Sequence, residues 1–208
     1  MATRFAEILA DTGVSHGLIG PREVPILWER HILNCAVVHD AFPQGAAIAD
    51  VGSGAGLPGL ALAIARPDLR LHLVEPLLRR TTWLEHTVEE LALDNVTVLR
   101  ARAEELHGQL QVPYATARAV ARIDKLARWT FPLLVPGGQL VALKGSSAAD
   151  ELAAQEPVLR RLGMTEAVIE TYGSGLVDPP TLVVRVTVTP RTSSGAAKER
   201  RRSRRRSG

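Results

Sequence analysis

The residues with the clearest chemical potential form a glycine-rich loop that begins with an acid. The loop reads Asp-Val-Gly-Ser-Gly-Ala-Gly-Leu-Pro-Gly over residues 50–59, between a short apolar run and a helical pattern. Glycines in such a loop let the backbone turn tightly and let a ligand approach within van der Waals contact. The four glycines of residues 52–59 are more than a simple turn needs. We therefore predict a cofactor site that includes Gly52, Gly54 and Gly56.

Two classes of cofactor compete for this loop. Residues 54–59 satisfy the Gly-x-Gly-x-x-Gly fingerprint of dinucleotide-binding folds, in which a pyrophosphate lies at a helix N-terminus. The wider pattern adds Asp50 at the end of the strand, and we expect its carboxylate to face the same cavity. A carboxylate there would repel a pyrophosphate but attract the cationic amino and sulfonium groups of S-adenosylmethionine. The charges favour S-adenosylmethionine, and a small NAD-dependent oxidoreductase is the alternative.

Two more acidic positions follow the next strands of the predicted sheet. Glu75 ends the second predicted strand, where a carboxylate can accept hydrogen bonds from both hydroxyls of a cofactor ribose. Ala103 and Glu104 follow the third predicted strand, where groups that contact adenine usually lie in such folds. We therefore include Glu75 and Glu104 in the predicted cofactor site.

The residues after the fourth predicted strand bear on the methyl acceptor. An exocyclic-amine methyltransferase would have Asn/Asp-Pro-Pro-aromatic there, whereas this chain has Ala-Arg-Ala-Val-Ala-Arg over residues 117–122. The Asp-Pro-Pro of residues 178–180 lies in the last predicted hairpin, lacks the aromatic residue and indicates a turn. A cytosine-C5 enzyme needs a nucleophilic cysteine, and we predict that Cys35 is instead a packed thiol.

An acceptor with an available lone pair, such as guanine N7, is what remains. It needs no general base, so that proximity, alignment and dry surroundings supply the catalysis. Arg118, Arg122 and Lys144 are predicted near the carboxyl edge of the sheet, where they would position phosphate or guanine. The chain has one cysteine, which excludes an internal disulfide and a cysteine-rich zinc site, and we expect no metal.

The elements that must position these residues alternate along the chain. Helices are predicted over residues 2–11 and 22–41, followed by five strands that alternate with helices and then by two consecutive strands. The predicted strands are residues 47–51, 71–75, 96–100, 115–119, 139–144, 166–172 and 182–189, and the intervening helices are 58–65, 77–91, 124–134 and 148–162. This order predicts an α/β fold with a mostly parallel seven-stranded sheet and a C-terminal antiparallel hairpin. It is typical of Rossmann-like class I methyltransferases.

The charge distribution divides the chain into a body and a tail. Eight of the 25 basic residues but only one of the 22 acidic residues lie in residues 191–208, so the preceding residues carry a net charge of −4. We predict a single domain over residues 1–190, with a helical extension over 1–43, and a disordered basic tail. The tail would tether RNA through phosphate contacts by Arg200, Arg201, Arg202, Arg204, Arg205 and Arg206. A solubilising end with no defined partner is the alternative.

The N-terminus and the apolar runs bear on localisation. No apolar run approaches the roughly 20 residues needed to span a bilayer, and charged residues interrupt the first predicted helix. We therefore expect a cytoplasmic protein without a membrane partner, and nothing in the sequence demands more than a monomer. The basic tail also leaves open a non-enzymatic RNA-binding module.

Four segments together resemble a known family. They read Trp-Glu-Arg-His-Ile-Leu-Asn-Cys over residues 28–35, the glycine loop of residues 50–59, Ala-Arg-Ala over 117–119 and Ala-Leu-Lys-Gly over 142–145. Their order and spacing are similar to those of the bacterial small-subunit ribosomal RNA methyltransferase G family, also called glucose-inhibited division protein B. The resemblance runs over about residues 5–188 and leaves out the basic tail.

The resemblance implies both an activity and a set of site residues. The activity is methylation by S-adenosylmethionine of guanine N7 in the 16S rRNA hairpin near the decoding centre, with 16S rRNA or the 30S subunit as partner. Matching positions imply cofactor contacts by Gly52, Leu57, Ala103, Glu104 and Arg118. Arg30 and His31 would face the cofactor and acceptor pocket, where they are candidates for positioning the acceptor together with Arg118 and Lys144.

The chain also departs from the family pattern. Asn34 and Cys35 stand where many members have Asp-Ser, Val120 replaces a common Phe, and Arg122 replaces a small residue. These departures question any specific role of that Asp or that Phe, but they leave the predicted cofactor site unchanged.

Overall fold

Seven strands form one sheet in residues 1–189, the part of the chain that the computed structural model describes. They are β1 (Ala47–Val51), β2 (Arg70–Val74), β3 (Val96–Leu99), β4 (Val112–Arg118), β5 (Leu134–Lys144), β6 (Met164–Tyr172) and β7 (Thr181–Val188). Their spatial order is β3-β2-β1-β4-β5-β7-β6. Within the described sheet, the antiparallel pairs are those that β7 makes with β5 and with β6. The predicted mostly parallel sheet with a C-terminal hairpin is confirmed.

Helices cover both faces of this sheet. The α-helices of the described residues are α1 (Ala2–Ile8), α2 (Asn34–Ala36), α3 (Gly59–Ala65), α4 (Leu78–Glu90), α5 (Ile123–Thr130) and α6 (Ala148–Leu162). One buried apolar cluster joins α1, α3 and α4 to the sheet, through residues such as Phe5, Leu60 and Leu84. The other joins α5 and α6 to the opposite face, through residues such as Leu126 and Leu159.

The alternation of side chains along β1 decides which residues meet which helices. Ile48 belongs to the cluster on the α3 side, whereas Ala49 and Val51 belong to the cluster on the α5 side. Successive side chains of a strand point to opposite faces, so Asp50 points to the same face as Ile48. This parity directs the Asp50 carboxylate toward α3.

The predicted helix over residues 22–41 is wrong as one continuous element. The structure has a 3₁₀ helix (Pro21–Ile26), a π-helix (Leu27–Leu33), α2 and a second 3₁₀ helix (Val37–Ala41) in its place. Pro25 lies inside the first of these, and a proline has no backbone N–H to give to a regular helical ladder. The residues are helical as expected, but their turns are wound differently.

Boundaries elsewhere differ by a few residues. β5 begins at Leu134, before the predicted start at Gln139, and its pairing with β4 has an irregular register between Val112 and Tyr114. α5 ends at Thr130 and continues as a short 3₁₀ helix that contains Pro132.

Within residues 1–189, the structure has no helix that combines the length and the apolar character needed to cross a bilayer. The same residues hold no cluster of three or more His, Cys, Asp or Glu side chains arranged to bind a metal ion.

Candidate active site

A cavity of about 540 Å³ lies at the carboxyl ends of β1, β2 and β4. β1 pairs with β2 on one side and with β4 on the other, so the chain order reverses there, and such reversals are where α/β sheets bind ligands. The volume falls in the range of small-molecule and cofactor sites, roughly 300–1,000 Å³. Of the predicted cofactor residues, the cavity is lined by Gly52, Gly54, Leu57, Glu75, Ala103, Glu104 and Arg118.

Gly52 and Gly56 serve different purposes in the loop. Gly52 lines the cavity with a φ of +75°, and a Cβ there would lie 2.9 Å from Cγ2 of Val120. Gly56 does not line the cavity. A Cβ at Gly56 would lie 2.3 Å from Cδ1 of Leu60, so the missing side chain lets the loop pack against α3. The expectation that Gly56 faces the cofactor is corrected to this packing role.

Asp50 also lies outside the cavity lining, which corrects the prediction that its carboxylate faces the ligand. The side chain is fully buried, and its Oδ2 accepts a hydrogen bond of 3.0 Å from the amide of Gly59, the first residue of α3. Its Oδ1 has no hydrogen-bond partner among the described residues. Burial raises the pKa of Asp50 to about 7. Asp50 therefore joins β1 to α3 beneath the loop.

Glu75 lines the cavity directly after β2. Its Oε2 accepts a hydrogen bond of 3.1 Å from the Gly54 amide, and its Oε1 accepts one of the same length from the Leu77 amide. Arg80 lies 3.5 Å from Oε2. A carboxylate offers about four lone-pair directions, so both oxygens can still accept from a ligand. The carboxylate thus fixes the glycine loop and remains available to the cavity.

Trp129 also lines the cavity and was not predicted from the sequence. It belongs to α5 and lines the cavity together with Ala103 and Glu104. A ring nitrogen of His107 lies 3.1 Å from its backbone carbonyl oxygen. The available signal was a large aromatic residue within the helix predicted to follow the fourth strand.

A second cavity of about 730 Å³ adjoins the first. Arg118, the last residue of β4, and the next two residues, Ala119 and Val120, line both cavities. Ala119 has a φ of +55°, in the left-handed region that residues other than glycine rarely adopt. The polar side chains of the second cavity's wall include Glu29, Arg30, Arg118, Lys144 and Asp178. The two cavities therefore meet at the carboxyl end of β4.

His31 lies behind this junction rather than in either lining. One of the Arg118 guanidinium nitrogens lies 2.9 Å from His31 Nδ1, and His31 Nε2 lies 2.7 Å from Glu23 Oε2. Burial lowers the pKa of His31, whereas its hydrogen bond with Glu23 raises it. The expectation that His31 faces the pocket is corrected, because it reaches the pocket through Arg118.

Lys144 and Arg122 are held by acidic partners. The Lys144 ammonium donates to the Ala121 carbonyl at 2.9 Å and lies 2.9 Å from Glu151 Oε1, on the wall of the second cavity. Arg122 lines neither cavity, and its Nε lies 3.4 Å from Asp124 Oδ1 on the exposed surface. The structure thus brings Lys144 to the site with its charge already paired, and leaves Arg122 outside it.

Two further predictions concern residues away from the cavities. Cys35 is completely buried, and its burial raises the pKa of the thiol to about 12, which confirms a packed thiol. The predicted RNA contacts of the tail lie outside the described residues, because Arg200, Arg201, Arg202, Arg204, Arg205 and Arg206 all follow residue 189.

Solved structures with the same fold include methyltransferases. The S-adenosylmethionine-dependent methyltransferase SibL superposes with a TM-score of 0.63 over 82% of this chain and 58% of its own, at 19% sequence identity. At that identity the likeness concerns the fold alone. The fold is that of a Rossmann-like class I methyltransferase, as the order of elements predicts.

Sequence comparisons reach further than the fold. The protein from Thermobifida fusca named ribosomal RNA small subunit methyltransferase G is 55% identical over all of this chain and 88% of its own. The protein of the same name from Streptomyces coelicolor is 56% identical over 90% of this chain and 79% of its own. The family described as rRNA small subunit methyltransferase G matches residues 1–175. The chain belongs to the rRNA small subunit methyltransferase G family.

Proposed function

We propose that this chain transfers the methyl group of S-adenosylmethionine to N7 of a guanine in 16S rRNA. Family membership supports methylation of small-subunit rRNA with S-adenosylmethionine as donor, and it does not support an NAD-dependent oxidoreductase or a non-enzymatic module. The observation that carries the proposal is the meeting of two cavities at Arg118, Ala119 and Val120. One cavity suits a nucleoside cofactor and the other suits a nucleobase.

The first cavity fits S-adenosylmethionine on three counts. Gly52 gives a ligand a close approach to the backbone where a side chain would collide with Val120. The Glu75 carboxylate would accept the ribose hydroxyls, and Ala103, Glu104 and Trp129 would surround the adenine.

The acceptor atom follows from the groups of the second cavity. When bound, S-adenosylmethionine supplies an electrophilic methyl group on a sulfonium cation, and guanine N7 attacks it without losing a proton. No described residue needs to act as a general base. Arg118 would donate to O6 alone or to a phosphate, which leaves the N7 lone pair free to attack.

Two carboxylates in this otherwise cationic cavity favour guanine over adenine. Glu29 and Asp178 line it beside Arg30, Arg118 and Lys144. A carboxylate repels phosphate, but it accepts from the N1–H and N2–H donors of guanine. Adenine presents an acceptor at N1 instead. Because N7 methylation moves positive charge onto the guanine ring, a carboxylate on that edge would also bind the transition state more tightly than the substrate.

The test is methylation of 30S particles that lack the modification, with free 16S rRNA assayed in parallel. Purified chain and S-adenosylmethionine labelled in the methyl group are expected to place the label on N7 of one guanine, detected as a site of reductive strand cleavage. Label on another base or another guanine atom would overturn the proposal. An Asp178→Asn variant, compared with Glu29→Gln, identifies the carboxylate whose loss lowers the turnover.

The remaining predictions about the whole chain stay proposals. We propose a single domain over residues 1–190 that acts as a monomer in the cytoplasm, where its rRNA substrate is assembled. Sedimentation of the full chain with and without S-adenosylmethionine tests the monomer. A larger species at micromolar concentration would contradict it.

A further inference from the structure

We propose that His31 is a positioning residue that holds the Arg118 guanidinium at the junction of the two cavities by accepting a hydrogen bond at Nδ1. The inference rests on the proposed function, because it assigns Arg118 to the acceptor side of that site. It concerns a residue that touches neither cavity and therefore acts only through its neighbour.

The donor and acceptor roles in this contact are fixed by chemistry. A guanidinium only donates, so at 2.9 Å from Arg118 the Nδ1 atom of His31 must be the acceptor. The ring proton then lies on Nε2, which donates to Glu23 Oε2 at 2.7 Å. Glu23 thereby selects the tautomer that Arg118 requires. The second contact of Arg118, to the Arg30 carbonyl, is longer at 3.4 Å and leaves the His31 bond as the main restraint.

The neutral ring is consistent with its surroundings. Three charged groups face His31: Glu23 on the 3₁₀ helix before it, Arg30 beside it in the chain, and Arg118 from β4. Its side chain is only 12% exposed, and burial together with the two cations lowers its pKa despite Glu23. Protonation would place an N–H against the guanidinium donors and break the bond. Arg118 would then be free to rotate away from the junction.

Two substitutions separate the two ring nitrogens. His31→Asn keeps an amide oxygen near the position of Nδ1, whereas His31→Gln reaches the position of Nε2 and loses the acceptor for Arg118. We expect His31→Gln to lower kcat on 30S particles by about tenfold or more, because a displaced guanidinium misaligns the acceptor. We expect His31→Asn to stay within about threefold of the wild type. Equal losses in the two variants would overturn the proposal.

The pH profile gives a readout that a merely structural role would not change. Wild-type kcat should fall as the pH drops below 6.5 and His31 becomes protonated, and His31→Asn should lose this acid limb. Glu23→Gln removes a charge that raises the His31 pKa, so the limb should move to lower pH. His72→Asn is the matched control, since His72 is another partly buried histidine with a lowered pKa, and it should keep the limb. An unchanged limb in His31→Asn contradicts the proposal.

One measurement is independent of methylation. Nitrogen-15 spectra of the histidine rings at pH 7 should show His31 as the neutral Nε2–H tautomer. An Nδ1–H tautomer or a protonated ring would overturn the inference even if the enzyme is active. If the tautomer is as stated but no guanine is methylated, the proposed function fails instead.

Discussion

At the level of single residues, the Glu75 carboxylate has two roles. It accepts hydrogen bonds from the Gly54 and Leu77 amides, and it lines the cofactor cavity. Glu75→Ala should weaken S-adenosylmethionine binding by about 1–3 kcal/mol, as expected for the loss of charge-assisted hydrogen bonds in a buried position. Titration calorimetry measures the change. Glu105→Ala is the control, because Glu105 also accepts from a backbone amide but lies outside the cavity. Equal effects of the two substitutions would refute a direct role of Glu75.

The buried Asp50 makes stability depend on pH. Its pKa in the folded chain, about 7, is above its ordinary value of 3.8. A raised pKa means that the favourable contribution of the protonated group is complete below pH 3.8 and is lost as the pH rises toward 7. Asparagine does not titrate at this position. The unfolding free energy of the wild type relative to Asp50→Asn should therefore fall between these pH values, by up to about 4 kcal/mol.

Denaturant unfolding of both proteins from pH 4 to pH 7.5 checks this slope. Asp68 provides a control that does not titrate in this range, because its hydrogen bonds with Arg66 lower its pKa from the ordinary value of 3.8. The stability of the wild type relative to Asp68→Asn should stay level from pH 4 to pH 7.5 and should fall only below pH 3.8. A flat difference for Asp50→Asn would mean that the carboxylate is solvated.

At the level of the structural elements, the turn after β4 contains a residue with a strained backbone conformation. Ala119 and Ala92 both have a positive φ, of 55° and 49°, but only Ala119 lies between the cavities. Replacing either alanine with glycine should remove the left-handed penalty and stabilise the chain by up to about 1 kcal/mol. Only Ala119→Gly should lower kcat, because it also loosens the residues beside Arg118. Thermal unfolding and methylation assays of the two variants test this, and a loss of kcat in Ala92→Gly would disprove the distinction.

The order and type of the elements could be predicted from the sequence because alternating apolar runs and helical patterns are local signals. The side on which Asp50 lies was predicted wrongly. Its place at the end of the strand, where the glycine loop begins, suggested the cavity, whereas strand parity places it with Ile48 against α3. The irregular winding of residues 21–41 could not be read from apolar spacing, since π-helical and 3₁₀ turns carry nearly the same pattern as an α-helix.

The candidate site was predictable where a motif is contiguous and was missed where distant segments meet. Gly52, Glu75 and Glu104 each follow a strand, so the parallel sheet brings them to one edge. The contact between His31 and Arg118 joins residues 87 positions apart, and no local pattern encodes it. Trp129 was missed for the same reason, because its wall position depends on how α5 crosses the sheet.

The charge of the tail matters at the scale of the whole molecule. Residues 191–208 carry a net charge of +7 while the rest carries −4. Deletion after Pro190 should weaken RNA binding and reduce its salt dependence. If all eight basic residues contact phosphates, the slope of log K against log salt changes by roughly 6–7, an upper limit. Filter binding between 50 and 300 mM salt measures the slope. An equal slope in both proteins would show that the tail does not engage RNA.

The two cavities differ in the sequence separation of the residues that line them. Asn34 and Thr181 meet beside the second cavity, 147 positions apart, where the Thr181 hydroxyl hydrogen-bonds to Asn34. The residues of the first cavity span a shorter stretch, from Leu18 to Trp129. Closing the longer loop costs more entropy and is slower. During refolding, the recovery of donor binding, measured by the fluorescence of Trp129, should therefore precede the recovery of methylation. A newly made chain would then hold its donor before it can accept RNA.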